Sequence, residues 1–201
     1  YSSNLQGKAY AEDLYPIKQS QSIASMVENR EELKKYLVPR KNILIYGGYY
    51  KSDDTWGGRD LTSSNIAGSE KCMIYLAEAF TALGHDVVVS HSSAPRYEHK
   101  GVYYCDTDTL HKDFKGIRWN LVIASSYIHY LKELETLQMD KHIFWMHNNY
   151  WHPWYKGEEL SNSEIDSIVQ KLETVICMSQ SQKSFVEQRI HDKISIIEHG
   201  L

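Results

Sequence analysis

His147 stands directly behind the apolar run Ile143-Phe144-Trp145-Met146, and Asn148, Asn149, Tyr150, Trp151, His152, Pro153, Trp154 and Tyr155 follow it. A histidine at the carboxyl end of a strand can donate to a ligand oxygen or carry a proton near neutral pH. The segment mixes polar donors with four aromatic side chains, Tyr150, Trp151, Trp154 and Tyr155. Such a mixture suits a sugar or other polyhydroxyl ligand, because ring faces supply apolar area while His and Asn supply directed hydrogen bonds. Asn148, Asn149 and Trp151 are therefore candidate substrate contacts. The same aromatic residues also suit an interface with another domain or subunit, so both readings stay open.

Two further segments qualify by position. Gly47-Gly48 ends the run Asn42–Tyr46, and Ala67-Gly68-Ser69 opens a helix whose free N–H groups can receive an anion. Gly48, Ala67, Gly68 and Ser69 are candidate contacts for a phosphorylated ligand, with close packing as the alternative for the glycines. Ser126, in Ser125-Ser126-Tyr127, follows the run Leu121–Ala124 and either offers a hydroxyl to substrate or caps the next helix.

Other chemistries lack their motifs. No Gly-x-Ser-x-Gly elbow, HExxH or CxxC occurs, and Gly47-Gly48 does not continue as GxGxxG. His142, His147 and His152 sit five apart, which aligns them neither on a helix nor on a strand face, so no metal site is expected. Walker A is missing, and Val89-Ser90-His91 lacks the acidic residue that would hold an adenine ribose.

The elements that must position these residues alternate. Ile23, Met26, Val27, Leu33 and Leu37 predict a helix that Pro39 ends, within an N-terminal extension over 1–41. From 42 to 201 the runs 42–46, 87–89, 103–105, 121–124, 143–146, 175–178 and 194–197 read as strands. Helices are expected over 67–83, with Gly84 as its cap, and along Ile128, Leu131, Leu134 and Leu137. Ser161 with Glu164 and Ser179 with Gln182 mark two more helix starts. Between strand and helix, 49–65 reads as a long loop. This grammar predicts an α/β fold, a Rossmann-like parallel sheet flanked by helices, in which ligands meet the carboxyl ends of the strands.

Composition agrees with a folded chain and narrows its partners. The 201 residues are 42% apolar and 12% aromatic with 4 Pro, which excludes a disordered or collagen-like chain. A net charge of −4 offers no general attraction to nucleic acid. No run approaches the roughly 20 apolar residues of a membrane span. Cys72, Cys105 and Cys177 lie apart in or beside apolar runs, which reads as buried thiols in a reducing, cytoplasmic setting. The chain starts at Tyr1 and stops just after a strand, so a fragment lacking a second domain is expected.

The order of signals over 42–201 resembles the N-terminal domain of a GT-B glycosyltransferase, closest to the large retaining family 4. Ala67-Gly68-Ser69-Glu70, Leu76-Ala77-Glu78-Ala79-Phe80 and Leu83-Gly84-His85-Asp86-Val87-Val88-Val89 are similar to the family's Gly-Gly-x-Glu opening, helix and Gly-His-x-Val strand. Ala67 stands where the first glycine is usual. Ser179-Gln180-Ser181 resembles the step into the last helix of that domain, and Ile197-Glu198-His199-Gly200 its crossing-point motif, with His199 in place of Asn.

The resemblance implies a nucleotide-diphosphate sugar as donor substrate, no tightly bound cofactor and no metal. It implies a carbohydrate or glycosylated acceptor, Gly68 near the donor phosphates and His147 near the transferred sugar. It also implies a second, donor-binding lobe that these residues lack, so that activity of this lobe alone is not expected. The loop 47–69 holds acids, Asp53, Asp54 and Asp60, but no histidine base of the inverting kind, which favours retention. A second copy of the chain is a further candidate partner. A non-catalytic binding or assembly domain and, less favoured, an NAD-dependent oxidoreductase are the alternatives.

Overall fold

The computed structural model describes residues 39–48, 56–62, 66–92, 94–148, 151, 154–155, 158–190 and 192–197. The chain divides into two units, Tyr1–Pro39 and Arg40–Leu201, and the second carries the sheet and every candidate residue. The helix expected over 23–37 lies outside the described residues, as do Asn149 and the 198–200 segment.

The second unit runs β1 (Asn42–Gly48), a 3-10 turn (Gly58–Asp60), α1 (Gly68–Ala82), β2 (Asp86–His91), β3 (Tyr97–His99), β4 (Val102–Cys105) and α2 (Thr107–Asp113). It continues through β5 (Arg118–Trp119), β6 (Leu121–Ser125), α3 (Tyr130–Glu133), β7 (Gln138–Met139), β8 (His142–Trp145), β9 (Trp154–Tyr155) and β10 (Glu158–Glu159). It closes with α4 (Asn162–Gln170), β11 (Thr174–Cys177), α5 (Gln180–Val186) and β12 (Ile194–Ile196).

Eight strands form one sheet in the order β12-β11-β8-β6-β1-β2-β4-β3, parallel throughout except for the β3–β4 hairpin. The chain moves outward from β1 to β2 and β4, then returns to the other side of β1 for β6, β8, β11 and β12. The strand order therefore reverses between β1 and β6, the Rossmann-like arrangement in which a crevice opens outside the carboxyl ends of those two strands.

Alternation along β1 divides the core. Ile43 and Ile45 face α1, where Met73, Ile74 and Ala77 meet them together with Val87 and Val89. Leu44 and Tyr46 face the other side, with Val122, Phe144 and Val175 from neighbouring strands and Leu110, Leu131, Ile165 and Val186 from α2, α3, α4 and α5. Right-handed crossovers require this split, because the chain crosses the sheet in one direction through α1 and in the opposite direction through the later helices.

Local chemistry sets the ends. Gly84 adopts φ +89° behind α1, a left-handed cap that costs glycine little. Ser161 Oγ accepts from Glu164 N while Glu164 Oε2 accepts from Ser161 N at 2.9 Å, a reciprocal cap worth about 1 kcal/mol. Lys132 donates to Glu164 at 2.6 Å and, with Ser161, holds that carboxyl down to about 2.

The helix expected along Ile128–Leu137 is a single turn. That turn closes with Leu134 N bonding Tyr130 O, and i→i+3 links extend the spacing by threes on either side of it: Leu131 N to Ile128 O, Lys132 N to His129 O and Leu137 N to Leu134 O. Ser179 Oγ caps α5 by accepting from Gln182 N at 3.2 Å, but the Gln182 side chain reaches back to Met178 N instead of closing the box. Two elements carry no strong stripe: α2, capped by Asp106 accepting from Thr109 N at 2.6 Å, and β3, which turns into β4 through Lys100 and Gly101 with φ +48° and +77°. Two successive positive φ values give the turn whose twist matches a hairpin.

Candidate functional site

Because β1, β2, β6 and β8 are parallel, their carboxyl ends share one rim, and β8 lies two strands from β1, about 10 Å across the sheet. Each candidate residue that lies in the described chain sits on this rim or just behind it.

The glycine pair ends β1 with one residue facing each layer. An ideal Cβ at Gly47 would sit 3.1 Å from Trp56 Cζ2 and 3.3 Å from His91 Cβ. At Gly48, which has φ +68°, it would land 2.0 Å from Tyr130 Cζ. Tyr130 is 1% exposed and meets Tyr46 edge-on at 5.6 Å. Of the two roles open to Gly48, close packing of a ring is the one its surroundings fill.

Gly68 differs. It is exposed, and a Cβ there would meet nothing within 4 Å. Ala67, the residue before it, is extended at φ −71°, ψ 167° and caps nothing with its methyl side chain, so no N-cap oxygen takes up the first N–H groups of α1. Ser69 Oγ is 3.2 Å from Glu70 Oε2, and Glu70 lies in the first turn, where a carboxylate complements the helix dipole. Any anion arriving here must share the field with Glu70.

Behind β6, Ser126 holds φ +72°, a conformation that costs a non-glycine residue on the order of 1 kcal/mol. Its N–H donates to Trp145 O at 3.0 Å, which ties the end of β6 to β8, and its Oγ is 3.3 Å from Ser125 Oγ. His147 is partly buried, its ring 4.5 Å from the Trp145 ring. Asn148 O accepts from Gln182 Nε2 at 3.4 Å, while Gln182 Oε1 accepts from Met178 N at 2.6 Å. One buried glutamine thus staples the loop after β8 to the loop after β11.

Trp151 does not present an open face. It is 5% exposed, stacks on Phe144 at 6.2 Å and meets Phe185 at 5.8 Å, so the aromatic surface expected of it is core packing.

The structure adds a residue that motif reasoning did not single out. His91 ends β2, is 2% exposed and stacks on Trp56 at 3.9 Å with an interplanar angle of 8°. Its Nδ1 lies 2.8 Å from Ser92 O and its Nε2 2.7 Å from Trp56 O, so the ring joins the strand end to the loop after β1. The rule that picked out His147, a histidine at a strand's carboxyl end, applied equally to His91.

Burial pushes the His91 pKa below its ordinary value, against the two carbonyls and Glu70, which favour the cation. Burial and Lys171 likewise lower His142. The unfolded chain therefore binds protons that the folded chain refuses, and the stability from these groups is complete above about pH 6.5 and lost as pH falls below it. Urea midpoints measured from about pH 7.5 to 5 should fall with pH, and His91→Gln should flatten the slope. A midpoint that rises on acidification would contradict this direction.

Two thiols are held in their protonated form by burial. Burial drives Cys105 up to about 12 and Cys177 up to about 11, so both stay protonated at neutral pH. Among the described residues no group of three or more His, Cys, Asp or Glu could hold a metal ion, and no helix is long and apolar enough to cross a membrane. Comparison of the chain with protein-family models and with curated proteins finds no match, which leaves the geometry of the carboxyl rim as the ground for a functional reading.

Proposed function

We propose that the chain is the acceptor-side lobe of a GT-B glycosyltransferase that moves a sugar, with retention, from a nucleotide-diphosphate donor to a carbohydrate or glycosylated acceptor. The observation that carries this reading is the pairing of the open start of α1 at Gly68 with His147 on one rim of the sheet, either side of the strand-order reversal. Backbone N–H groups at Gly68 and Ser69 would meet donor phosphate oxygens, with helix polarity in their favour. His147 would hold a sugar hydroxyl, and Asn148 and Ser126 lie beside it on the same rim. A cleft closed by a second lobe would exclude water and add cationic groups on the donor side.

The oxidoreductase alternative needs free backbone at Gly47-Gly48 for a dinucleotide diphosphate. The rings of Trp56 and Tyr130 occupy that space, which counts against it.

Amide and histidine ring resonances followed by NMR during titration with UDP-glucose, GDP-mannose and ADP-glucose test the proposal. Binding at millimolar concentration should shift Gly68, Ser69 and His147 together. Gly68→Val should abolish the shift with the fold intact, since its side chain points into open space. A folded chain in which none of the three nucleotide sugars moves these signals sinks the reading.

A further inference from the structure

The sequence places a Gly57-Gly58-Arg59-Asp60 run in the loop after β1, and the structure fixes it firmly. Trp56 stacks on His91 at one end, and Leu61 packs against the α1 side of the core at the other. Between them Asp60 N bonds Gly57 O at 2.9 Å, closing the 3-10 turn.

The turn lies directly on a tyrosine stack. Tyr97 and Tyr104 are parallel, 4.8 Å apart and 9° from coplanar, where β3 pairs with the carboxyl end of β4. An ideal Cβ at Gly57 would fall 1.6 Å from Tyr97 Oη, and one at Gly58 would fall 2.6 Å from His99 Cδ2 and 2.9 Å from Tyr104 Oη. Only glycine lets the backbone come this close. Above it the Arg59 guanidinium carbon sits 4.4 Å from the Tyr97 ring centroid.

Arg59 is set apart by what it does not touch. The other arginines among the described residues each have an acid: Arg40 with Asp86, Arg96 with Asp113 at 2.9 Å, Arg118 with Asp140 at 2.5 Å and Arg189 with Asp166 at 2.5 Å. Arg59 is exposed and makes no ion pair among the described residues, its neighbour Asp60 included. A planar, permanently charged fork placed over a ring, with no acid partner among the described residues, is preorganised for an oxyanion. It stands on the carboxyl rim, on the β2–β4 side of the strand-order reversal, opposite the β6–β8 side that carries His147.

We propose that Arg59 is the recognition point for a phosphate or carboxylate group carried by a small saccharide ligand at the carboxyl rim. Oxyanion recognition here stands apart from the transfer reading; that the oxyanion is carried by a saccharide, and that this saccharide is the acceptor, rests on that reading.

The full chain is titrated with glucose 6-phosphate, glucuronate, glucose and inorganic phosphate, followed by tryptophan fluorescence and the Arg59 Nε–H NMR signal. No nucleotide sugar is present, so the result stands apart from donor binding. At least one charged sugar should bind about tenfold or more tighter than glucose and lose affinity as salt rises from about 20 to 200 mM. The two charged sugars separate phosphate from carboxylate recognition. Arg59→Ala and Arg59→Gln should erase the preference, while Arg59→Lys keeps part of it, having the charge without the fork. Because Arg59 is exposed, all three variants should melt with the wild type. The proposal is overturned if charged and neutral sugars bind alike, if neither binds, or if Arg59→Ala and Arg59→Gln retain the wild-type preference. Inorganic phosphate binding as tightly as glucose 6-phosphate would overturn the saccharide part.

Discussion

Gly48→Ala should lower the stability of the fold by about 2–4 kcal/mol, although it adds one methyl group at the end of a strand. Two costs combine. The residue holds φ +68°, which an L side chain adopts at a cost of about 1 kcal/mol, and the new Cβ would lie 2.0 Å from the Tyr130 ring. The ring has nowhere to go: it is 1% exposed, packed edge-on against Tyr46, whose hydroxyl donates to Glu133 at 2.5 Å. The Gly48 carbonyl also accepts from Ser92 N at 2.8 Å, so backbone movement at this point would disturb the end of β2. Urea denaturation at pH 7 measures the effect, with Gly68→Ala as the control. A Cβ at Gly68 meets nothing and sits at the start of a helix, where alanine is at least as good as glycine. Combining Gly48→Ala with Tyr130→Ala should cost less than the sum of the two single changes, because the ring that the methyl strikes is gone. Additive costs, or a Gly48→Ala midpoint equal to that of Gly68→Ala, would show that the ring does not confine this glycine.

Where each signal is made decides how legible it is in the sequence. The runs Ile43–Tyr46, Val87–Val89 and Leu121–Ala124 read as parallel strands because both faces of a central strand are buried and no polar residue interrupts them. Ser161 with Glu164 and Gly84 are equally local, since a cap is a matter of a few neighbouring residues. The edge strand Tyr97–His99 is short and half polar, so it lacks that signature, and α2 has a good cap but no apolar stripe. The spacing by threes from Ile128 to Leu137 is visible, but it fits one α-turn flanked by i→i+3 turns better than a continuous α-helix of 3.6 residues per turn.

The site divides the same way. The topology puts Gly68, Ser126 and His147 on one rim, as the alternation of elements predicts. The ring of Tyr130 over Gly48, the two carbonyls around His91 and the Gln182 staple are contacts between separate loops and elements. No local pattern encodes such contacts, because they arise only when crossovers stack one loop on another.

Trp151 shows what that difference means for experiment. As a ligand contact its loss would weaken binding and leave the fold alone; as the core residue the structure places between Phe144 and Phe185, its loss must do the reverse. Trp151→Ala removes a ring that is 5% exposed and should cost about 3–5 kcal/mol, whereas Trp151→Phe keeps most of the contact and should cost much less. For a domain of this length each kcal/mol moves the melting temperature by about 2–4 °C, so the alanine variant should melt roughly 6–20 °C lower. His147→Ala, at a partly buried position on the rim, should melt close to the wild type and yet lose the nucleotide-sugar response. That paired result would separate framework from site, with Trp151 needed for the rim to form and His147 for the response proposed at it. A Trp151→Ala chain that melts with the wild type but no longer responds to sugar ligands would return that ring to the binding surface and remove it from the core.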